Sequence, residues 1–195
     1  MRSHQEFGHI PHLSFGPLTL LHIASTLRAF VFAFFGLLVP VVLLNHFIEA
    51  GWELRVSLLF VIGLFVWTQV VRLVVMMPMV HMVTKWGLRW GFFVSQLLLL
   101  LFFYLMLREW WITAFVFFGL ANGFWWYCYH LFFVTHSNSK KMGYQAGIAA
   151  ALGLLSGVIA PLVGGWLLVR FGELGFYGAA VFLVVCSLGP IMAFD

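Results

Sequence analysis

The chain has 195 residues, of which 64% are hydrophobic and only 8% are charged, and its mean hydropathy is +1.06. No soluble domain could cover that much apolar surface with so few polar residues, so lipid is the expected solvent. A net charge of +4 would suggest a nucleic-acid partner in a soluble protein, but here most Lys and Arg residues fall between apolar runs, as membrane topology requires. We therefore expect an integral membrane protein in a lipid bilayer, with no nucleic-acid partner.

The chain after residue 16 consists of six apolar runs, each long enough to cross a hydrocarbon core about 30 Å thick. These runs are continuously apolar and not alternating, which excludes a transmembrane β-barrel and predicts an all-α membrane bundle. Residues 1–16 are interpreted as a cytoplasmic segment and residues 17–195 as one transmembrane domain of two three-helix units. The predicted helices span about 17–44, 54–81, 89–107, 110–134, 144–169 and 174–194.

The positive charges predict the orientation of this bundle. Lys85 and Arg89 follow the second predicted helix, Lys140 and Lys141 follow the fourth, and Arg2 precedes the first. The hinges at the opposite ends combine Arg with Glu and have no positive excess. Because Lys and Arg accumulate on the cytoplasmic side, both termini are expected to be cytoplasmic.

The first predicted helix contains a charged residue, Arg28, near its middle. An Arg at the centre of a membrane helix costs roughly 2.5–3.5 kcal/mol on insertion scales. No Asp or Glu is expected at the same depth, so helix carbonyls, water, an anionic ligand or an acid of another chain must satisfy the guanidinium. We expect a substrate or coupling site at Arg28, with snorkelling to the headgroups as the alternative.

Polar residues in the second and third predicted helices are open to two interpretations. Gln69 and Arg72 lie about one turn apart and could form a polar relay, although Arg72 could also snorkel to the nearby hinge. Gln96 could extend that seam or hydrogen-bond a neighbouring helix.

The fourth predicted helix places an amide, an indole and an imidazole on one face, at Asn122, Trp126 and His130. Trp125 and Tyr129 widen this stripe with rings that can stack on an organic ligand. The pattern predicts a cavity, with aromatic packing between helices as the alternative. His130 could relay protons or hydrogen-bond a neighbouring helix.

The sequence contains no dense histidine cluster, phosphate-binding glycine loop or nucleophile elbow. We therefore expect no enzymatic activity, no catalytic residue, no metal and no cofactor. Cys128 and Cys186 fall inside apolar runs, where a buried thiol that packs as a small hydrophobe is the expected state.

Small residues recur every four positions in the fifth predicted helix, an arrangement that permits close approach of another backbone. They are Ala149, Gly153, Gly157, Pro161 and Gly165. Pro161 removes a backbone donor and predicts a place where this helix can bend or unwind.

The stretch from Gly147 to Gly165, GIAAALGLLSGVIAPLVGG, resembles the helix 5 signature of major facilitator superfamily transporters. Gly164 and Gly165 close the pattern, while Ser156 stands where Asn is common and Ala160 where Gly precedes the proline. The resemblance implies that these small residues act in helix packing and in conformational change.

The hinge TKWGLR is similar to the cytoplasmic loop signature of the same family. It retains Lys85, Gly87 and Arg89 but has Thr84 where the family usually has Asp. The stretch NGFWWYCYHLFFVTHSNSKKMGYQAG is similar to poorly characterised bacterial members. The resemblance covers the second to fifth helices.

This resemblance implies the N-terminal half of a twelve-helix transporter in a bacterial cytoplasmic (inner) membrane, working by alternating access. The partner would be a C-terminal six-helix half or a second copy of the chain. The substrate would be a small solute, with an anion favoured by Arg28. The alternative is a non-transporting six-helix interaction or scaffold subunit. The expected substrate contacts are Arg28, Asn122, Trp125, Trp126 and Tyr129.

Overall fold

The computed structural model describes residues 16–137 and 142–193, and this part of the chain is helical and contains no strand. The helices Pro17–Glu49, Leu54–Trp86, Leu88–Leu107 and Met142–Met192 are each long and apolar enough to cross a membrane. The predicted all-α membrane class is thereby confirmed. Most of the predicted N-terminal segment, Lys140, Lys141 and the end of the last predicted helix lie outside the described residues. The helices are α1 (Pro17–Glu49), α2 (Leu54–Trp86), α3 (Leu88–Leu107), α4 (Trp111–His136) and α5 (Met142–Met192).

The first two helices extend about five residues beyond their predicted ends. α1 continues to Glu49 and α2 to Trp86, and each is followed closely by a glycine with positive φ, Gly51 at 85° and Gly87 at 91°. The prediction ended these helices where the apolar runs stop. The backbone hydrogen bonds instead continue through polar residues until a glycine adopts a conformation that other residues rarely reach.

The fifth and sixth predicted helices both fall within α5. Gly172, with φ 67° and ψ −168°, is the residue of α5 with non-helical backbone angles, and it lies between two helical stretches, where the hinge between these helices was predicted. α5 is helical on both sides of Pro161.

The helix packing brings the termini of several helices together. α1 packs mainly on α5, whereas α4 packs on both α2 and α3. Buried apolar residues from the start of α1, the end of α2, the start of α3 and the end of α4 form one cluster, which Ile191 of α5 joins. We call this the first end of the bundle. The second end holds the α1–α2 and α3–α4 connections.

A cluster of phenylalanine rings joins the helices in the other core. Phe35 of α1 lies with its ring centroid 4.9 Å from that of Phe103 in α3, and Phe102 lies 4.9 Å from Phe118 in α4. Phe176 of α5 completes the cluster, 6.2 Å from Phe35. Lipid is as apolar as these rings, so little is gained by removing them from it. The helices are held together here by the close packing of the rings.

Glycines allow α2 and α4 to approach closely. A Cβ atom on Gly119 would lie 2.8 Å from the carbonyl oxygen of Thr68, and one on Gly123 would lie 2.6 Å from the sulfur of Met79. The Thr68 hydroxyl also lies 3.3 Å from the carbonyl oxygen of Phe115, which it can reach because the helices are so close. Packing of α2 on α4 therefore depends on small residues of α4.

The outward surface of the bundle is strongly apolar. Leu73 and Met77 of α2 are 72% and 81% exposed, and Val169 of α5 is 91% exposed. On membrane-spanning helices such side chains contact lipid tails, which removes the cost of leaving them uncovered.

Candidate functional site

A partly open cavity of about 670 Å³ lies between α1, α4 and the first part of α5. Both α4 and α5 pack on other helices but, in the described chain, not on each other, so the cavity separates them. α1 forms its base. The lining residues that bear polar groups or rings are Ser25, Arg28, Phe32, Trp125, Trp126, Tyr129, His130 and Phe133.

Arg28 lies in the base of the cavity and is only 3% exposed. Its guanidinium donates one hydrogen bond from Nη1 to Oε1 of Gln96 at 3.2 Å and another from Nη2 to the carbonyl oxygen of Ala121 at 3.1 Å. The guanidinium carbon lies 4.5 Å from the ring centroid of Trp125 and 4.9 Å from that of Phe32. The cation is thus held by α3 and α4 at its edge and by two aromatic rings.

The partners of Arg28 are fixed by a small polar network at the α3–α4 contact. Ser95, adjacent to Gln96 on α3, donates a 2.7 Å hydrogen bond to the same carbonyl oxygen of Ala121. Ser95 and Gln96 are both fully buried. The Arg28 side chain therefore reaches from α1 to two other helices and has little freedom to move.

None of the recorded partners of the Arg28 guanidinium is charged. Its Nε–H is buried and has no hydrogen-bond partner among the residues that the structure describes. The four acids in the described part of the chain, Glu49, Glu53, Glu109 and Glu173, lie at helix ends or beside the Gly172 break. The rings of Trp125 and Phe32 stabilise a cation but leave its net charge unchanged. The cavity therefore has a cationic base.

The α4 wall of the cavity is a run of contacting rings. Trp126 stacks on His130 with centroids 5.3 Å apart, and Tyr129 stacks on Phe133 at 6.1 Å with an angle of 12° between the rings. Trp126 is 43% exposed and His130 is also exposed, so both rings face open space. A ligand in the cavity would contact these rings along much of its length.

The α5 wall is smooth because it consists of small residues. Ala146, Ala149, Ala150 and Gly153 line the cavity, and nothing lies within 4 Å of a Cβ atom placed on Gly153. The cavity therefore lies between this wall of small residues and the rings of α4.

The predicted small-residue ribbon of α5 has two different roles. Positions 149 and 153 line the cavity, while Gly147, Gly157 and Gly165 have no neighbour within 4 Å of an added Cβ. The buried residues are instead Ser156, Ala160 and Gly164. At Gly164 an added Cβ would lie 2.6 Å from Phe34 of α1. Close approach of α1 to α5 thus uses Gly164, which belongs to the family-like motif, and not the ribbon of every fourth residue.

Three of the predicted polar residues lie away from the cavity. Asn122 is buried, its side-chain carbonyl oxygen has no partner, and it is not among the lining residues. Gln69 is exposed on α2, and Arg72 packs its aliphatic stem about 3.8 Å from the position of a Cβ atom on Gly123. The structure thus brings Trp125, Trp126, Tyr129 and His130 together with Arg28, but not these three.

The predicted cytoplasmic loop motif forms a compact joint. Lys85 belongs to the last turn of α2, Gly87 is the single residue between the helices, and Arg89 lies in the first turn of α3. Nη2 of Arg89 donates a 2.7 Å hydrogen bond to the backbone carbonyl of Met192 at the end of α5. A cation at a helix C-terminus is stabilised by the unpaired carbonyls there.

The sequence prediction missed several parts of the site. Ser25, Phe32 and Phe133 line the cavity and were not predicted. A hydrogen bond from Gln96 to a neighbouring helix was one of two predicted alternatives, but its partner, Arg28, was not named. The adjacent polar pair Ser95 and Gln96 in an otherwise apolar helix was an available signal. Among the described residues, no group of three or more His, Cys, Asp or Glu side chains is arranged to hold a metal ion.

Comparisons with protein-family models, with curated proteins and with solved structures give no match for this chain.

Proposed function

We propose that this protein takes part in secondary active transport of a small solute across a membrane by alternating access, as one helical half of a transporter of the major facilitator type. The observation that carries the proposal is the cavity between α1, α4 and α5, whose base is a buried cation. A cation is expensive to keep inside a membrane protein, and such residues commonly mark the path of a substrate or ion.

The size and composition of the cavity support binding of a small molecule. Its volume, about 670 Å³, lies within the roughly 300–1,000 Å³ that is typical of small-molecule sites. Its walls are mainly apolar, with a few polar groups that can fix the orientation of a ligand. Arg28, Trp125, Trp126 and Tyr129 are the proposed substrate contacts, and His130 is a proposed polar relay.

The open side of the cavity is where the proposed partner would pack. α1, α4 and α5 supply its lining, and Trp126 and His130 remain exposed at its open side. A second six-helix unit, either a C-terminal half or a second copy of this chain, would cover that side. Movement of the two units against each other would expose the cavity to each side of the membrane in turn. The proposed location is a bacterial cytoplasmic membrane with both termini inside.

Cysteine accessibility in membrane vesicles tests this proposal without knowledge of the solute. In a chain lacking Cys128 and Cys186, single cysteines replace Trp126 and, as a lipid-facing control, Leu73. A membrane-impermeant maleimide should label Trp126→Cys, because the cavity holds water. It should not label Leu73→Cys, although Leu73 is the more exposed of the two, at 72% against 43%.

The direction of access separates a transporter from a fixed subunit. In right-side-out and inside-out vesicles, alternating access predicts that Trp126→Cys is labelled from both sides, at different rates. Labelling from one side alone would contradict transport. Protection of Trp126→Cys equal to that of Leu73→Cys would support the packing surface of a non-transporting interaction subunit instead.

A further inference from the structure

We propose that the cavity binds an organic carboxylate with a flat, apolar, ring-bearing body, and that its carboxylate pairs with Arg28. This inference rests on the proposed function, for which it names the substrate class. Two features support it: the Arg28 guanidinium, through its charge and the way in which it is held, and the residues that line the two walls.

The charge of Arg28 favours an anion. The Arg28 side chain is only 3% exposed, and both of its hydrogen-bond acceptors are neutral. A buried charge is normally paired, because removal of an ion from water costs several kcal/mol that neutral hydrogen bonds only partly offset. The acids in the described part of the chain lie at helix ends or beside the Gly172 break, so none is placed to fill this role. An anionic ligand in the cavity would complete the site.

The environment of the guanidinium favours a carboxylate. Trp125 and Phe32 lie against it at 4.5 and 4.9 Å, so a ligand would have to approach it at its edge. Gln96 and the Ala121 carbonyl each accept one hydrogen bond there, and Nη1 and Nη2 each carry a second N–H. A planar carboxylate pairs edge to edge with a guanidinium through parallel hydrogen bonds.

The walls favour a flat apolar body. On one side are the rings of Trp126, Tyr129 and Phe133, and on the other are alanines and a glycine. Since no large side chain of α5 enters the cavity, a planar ring system can lie between the two walls and stack on the indole of Trp126. A polyhydroxylated solute would find few hydrogen-bonding groups here.

The test measures equilibrium binding of tritiated 2-naphthoate to the full chain in lipid nanodiscs, with empty nanodiscs to subtract partition into lipid. Two unlabelled competitors are compared: 2-naphthamide, a neutral isostere of the acid, and naphthalene, which lacks the carboxylate. Because a charge-assisted hydrogen bond is worth roughly 1.5–3 kcal/mol, naphthoate should bind about 10- to 100-fold more tightly than the amide. Equal affinity for acid and amide, or no saturable binding of naphthoate, would overturn the inference. Tighter binding of 2-naphthyl phosphate than of naphthoate would overturn the carboxylate assignment.

Two kinds of variant connect binding to the named residues. Arg28→Met should abolish the preference for acid over amide, and Arg28→Lys should retain it with weaker binding, because an ammonium lacks the planar fork. Trp126→Leu, which leaves the Arg28 network intact, should weaken naphthoate binding about 2- to 10-fold through lost stacking. Val74→Ala on the lipid-facing side of α2 is the matched control and should bind as the unaltered chain does. If Arg28→Met fails to elute as a monodisperse species, the Lys variant and the acid/amide ratio decide the question.

The result also separates this inference from the proposed function. Arg28-dependent binding of naphthoate together with one-sided cysteine labelling would remove the transport proposal and leave the anion site in place. Two-sided labelling without any preference for the acid would leave transport in place and remove the anion site.

Discussion

Gly164→Ala should destabilise the protein, whereas the same substitution one residue later should not. A Cβ atom at position 164 would lie 2.6 Å from Cδ1 of Phe34 and 2.7 Å from Cδ1 of Leu38. Carbon atoms in contact prefer separations of about 3.5–4.0 Å, so the neighbours must move by about 1 Å. Gly165 has no atom within 4 Å of its added Cβ and is the matched control.

The magnitude follows from how freely the neighbours of Gly164 can move. Leu38 is only partly buried and can rotate, but Phe34 is 1% exposed and lies between Phe30 at 5.1 Å and Phe176 at 5.9 Å. Overpacking of this kind costs roughly 1–3 kcal/mol. Alanine recovers about 0.5–1 kcal/mol relative to glycine inside a helix, at either position. The two variants should therefore differ in unfolding free energy by about 1–3 kcal/mol, the packing term alone.

The assay is thermal unfolding of the purified full chain in detergent, with intrinsic tryptophan fluorescence as the signal. For a chain of this length each kcal/mol corresponds to roughly 2–4 °C in Tm. Gly164→Ala should melt below Gly165→Ala, and Gly165→Ala should melt at or slightly above the unaltered chain. A Tm for Gly164→Ala equal to or above that of Gly165→Ala would refute the packing of α1 on α5 as described.

Three further predictions concern individual contacts. Gln96→Leu removes the acceptor of a 3.2 Å hydrogen bond from a buried cation and should lower the unfolding free energy by about 2–3 kcal/mol. Ser95→Ala removes a hydrogen bond between neutral groups and should lower it by about 1 kcal/mol, so equal losses in denaturant titrations would contradict this prediction. Gly87→Ala should lower the unfolding free energy by about 1–2 kcal/mol because φ is 91° at this position, whereas Gly63→Ala, with open space around it, should not lower it. An unchanged Tm for Gly87→Ala would contradict the described connection between α2 and α3. Asn122→Ala should change naphthoate affinity less than twofold, since Asn122 does not line the cavity, and a tenfold loss would return it to the site.

Hydrophobicity predicted the class of this fold well. Leu73, Met77 and Val169, which are 72%, 81% and 91% exposed, belong to an extensive apolar surface that suits lipid, and the long apolar runs already predicted that solvent. Helix ends were predicted less accurately. Apolar runs record where lipid contact stops, whereas α2 continues through Lys85 until Gly87 permits a change of direction.

The candidate site could be predicted in part, because Arg28 and the ring-bearing residues of α4, Trp125, Trp126, Tyr129 and His130, were predicted and line the cavity. Arg28 stands out in any sequence of this composition, and it does lie in the cavity. The backbone carbonyl of Ala121 accepts a hydrogen bond from Arg28. Every residue has such a carbonyl, so no pattern of side chains could have predicted this contact. Asn122 was predicted from helical spacing to Trp126, but spacing fixes only relative position on a helix. Whether a given face of α4 points toward the cavity or toward a neighbouring helix depends on how α4 packs against α2 and α3.

The smooth wall of α5 affects how the protein could change over evolutionary time. Ala146, Ala149, Ala150 and Gly153 line the cavity, and α5 is the least enclosed of the helices long and apolar enough to cross a membrane. Ala146 and Ala150 are exposed, whereas Ala149 and Gly153 are half-buried. Substitutions at exposed positions usually alter stability by no more than about 0.5 kcal/mol, so larger or polar residues could be introduced at positions 146 and 150 without disturbing the phenylalanine core. A bundle built in this way can acquire new ligands while its folding remains almost unaffected.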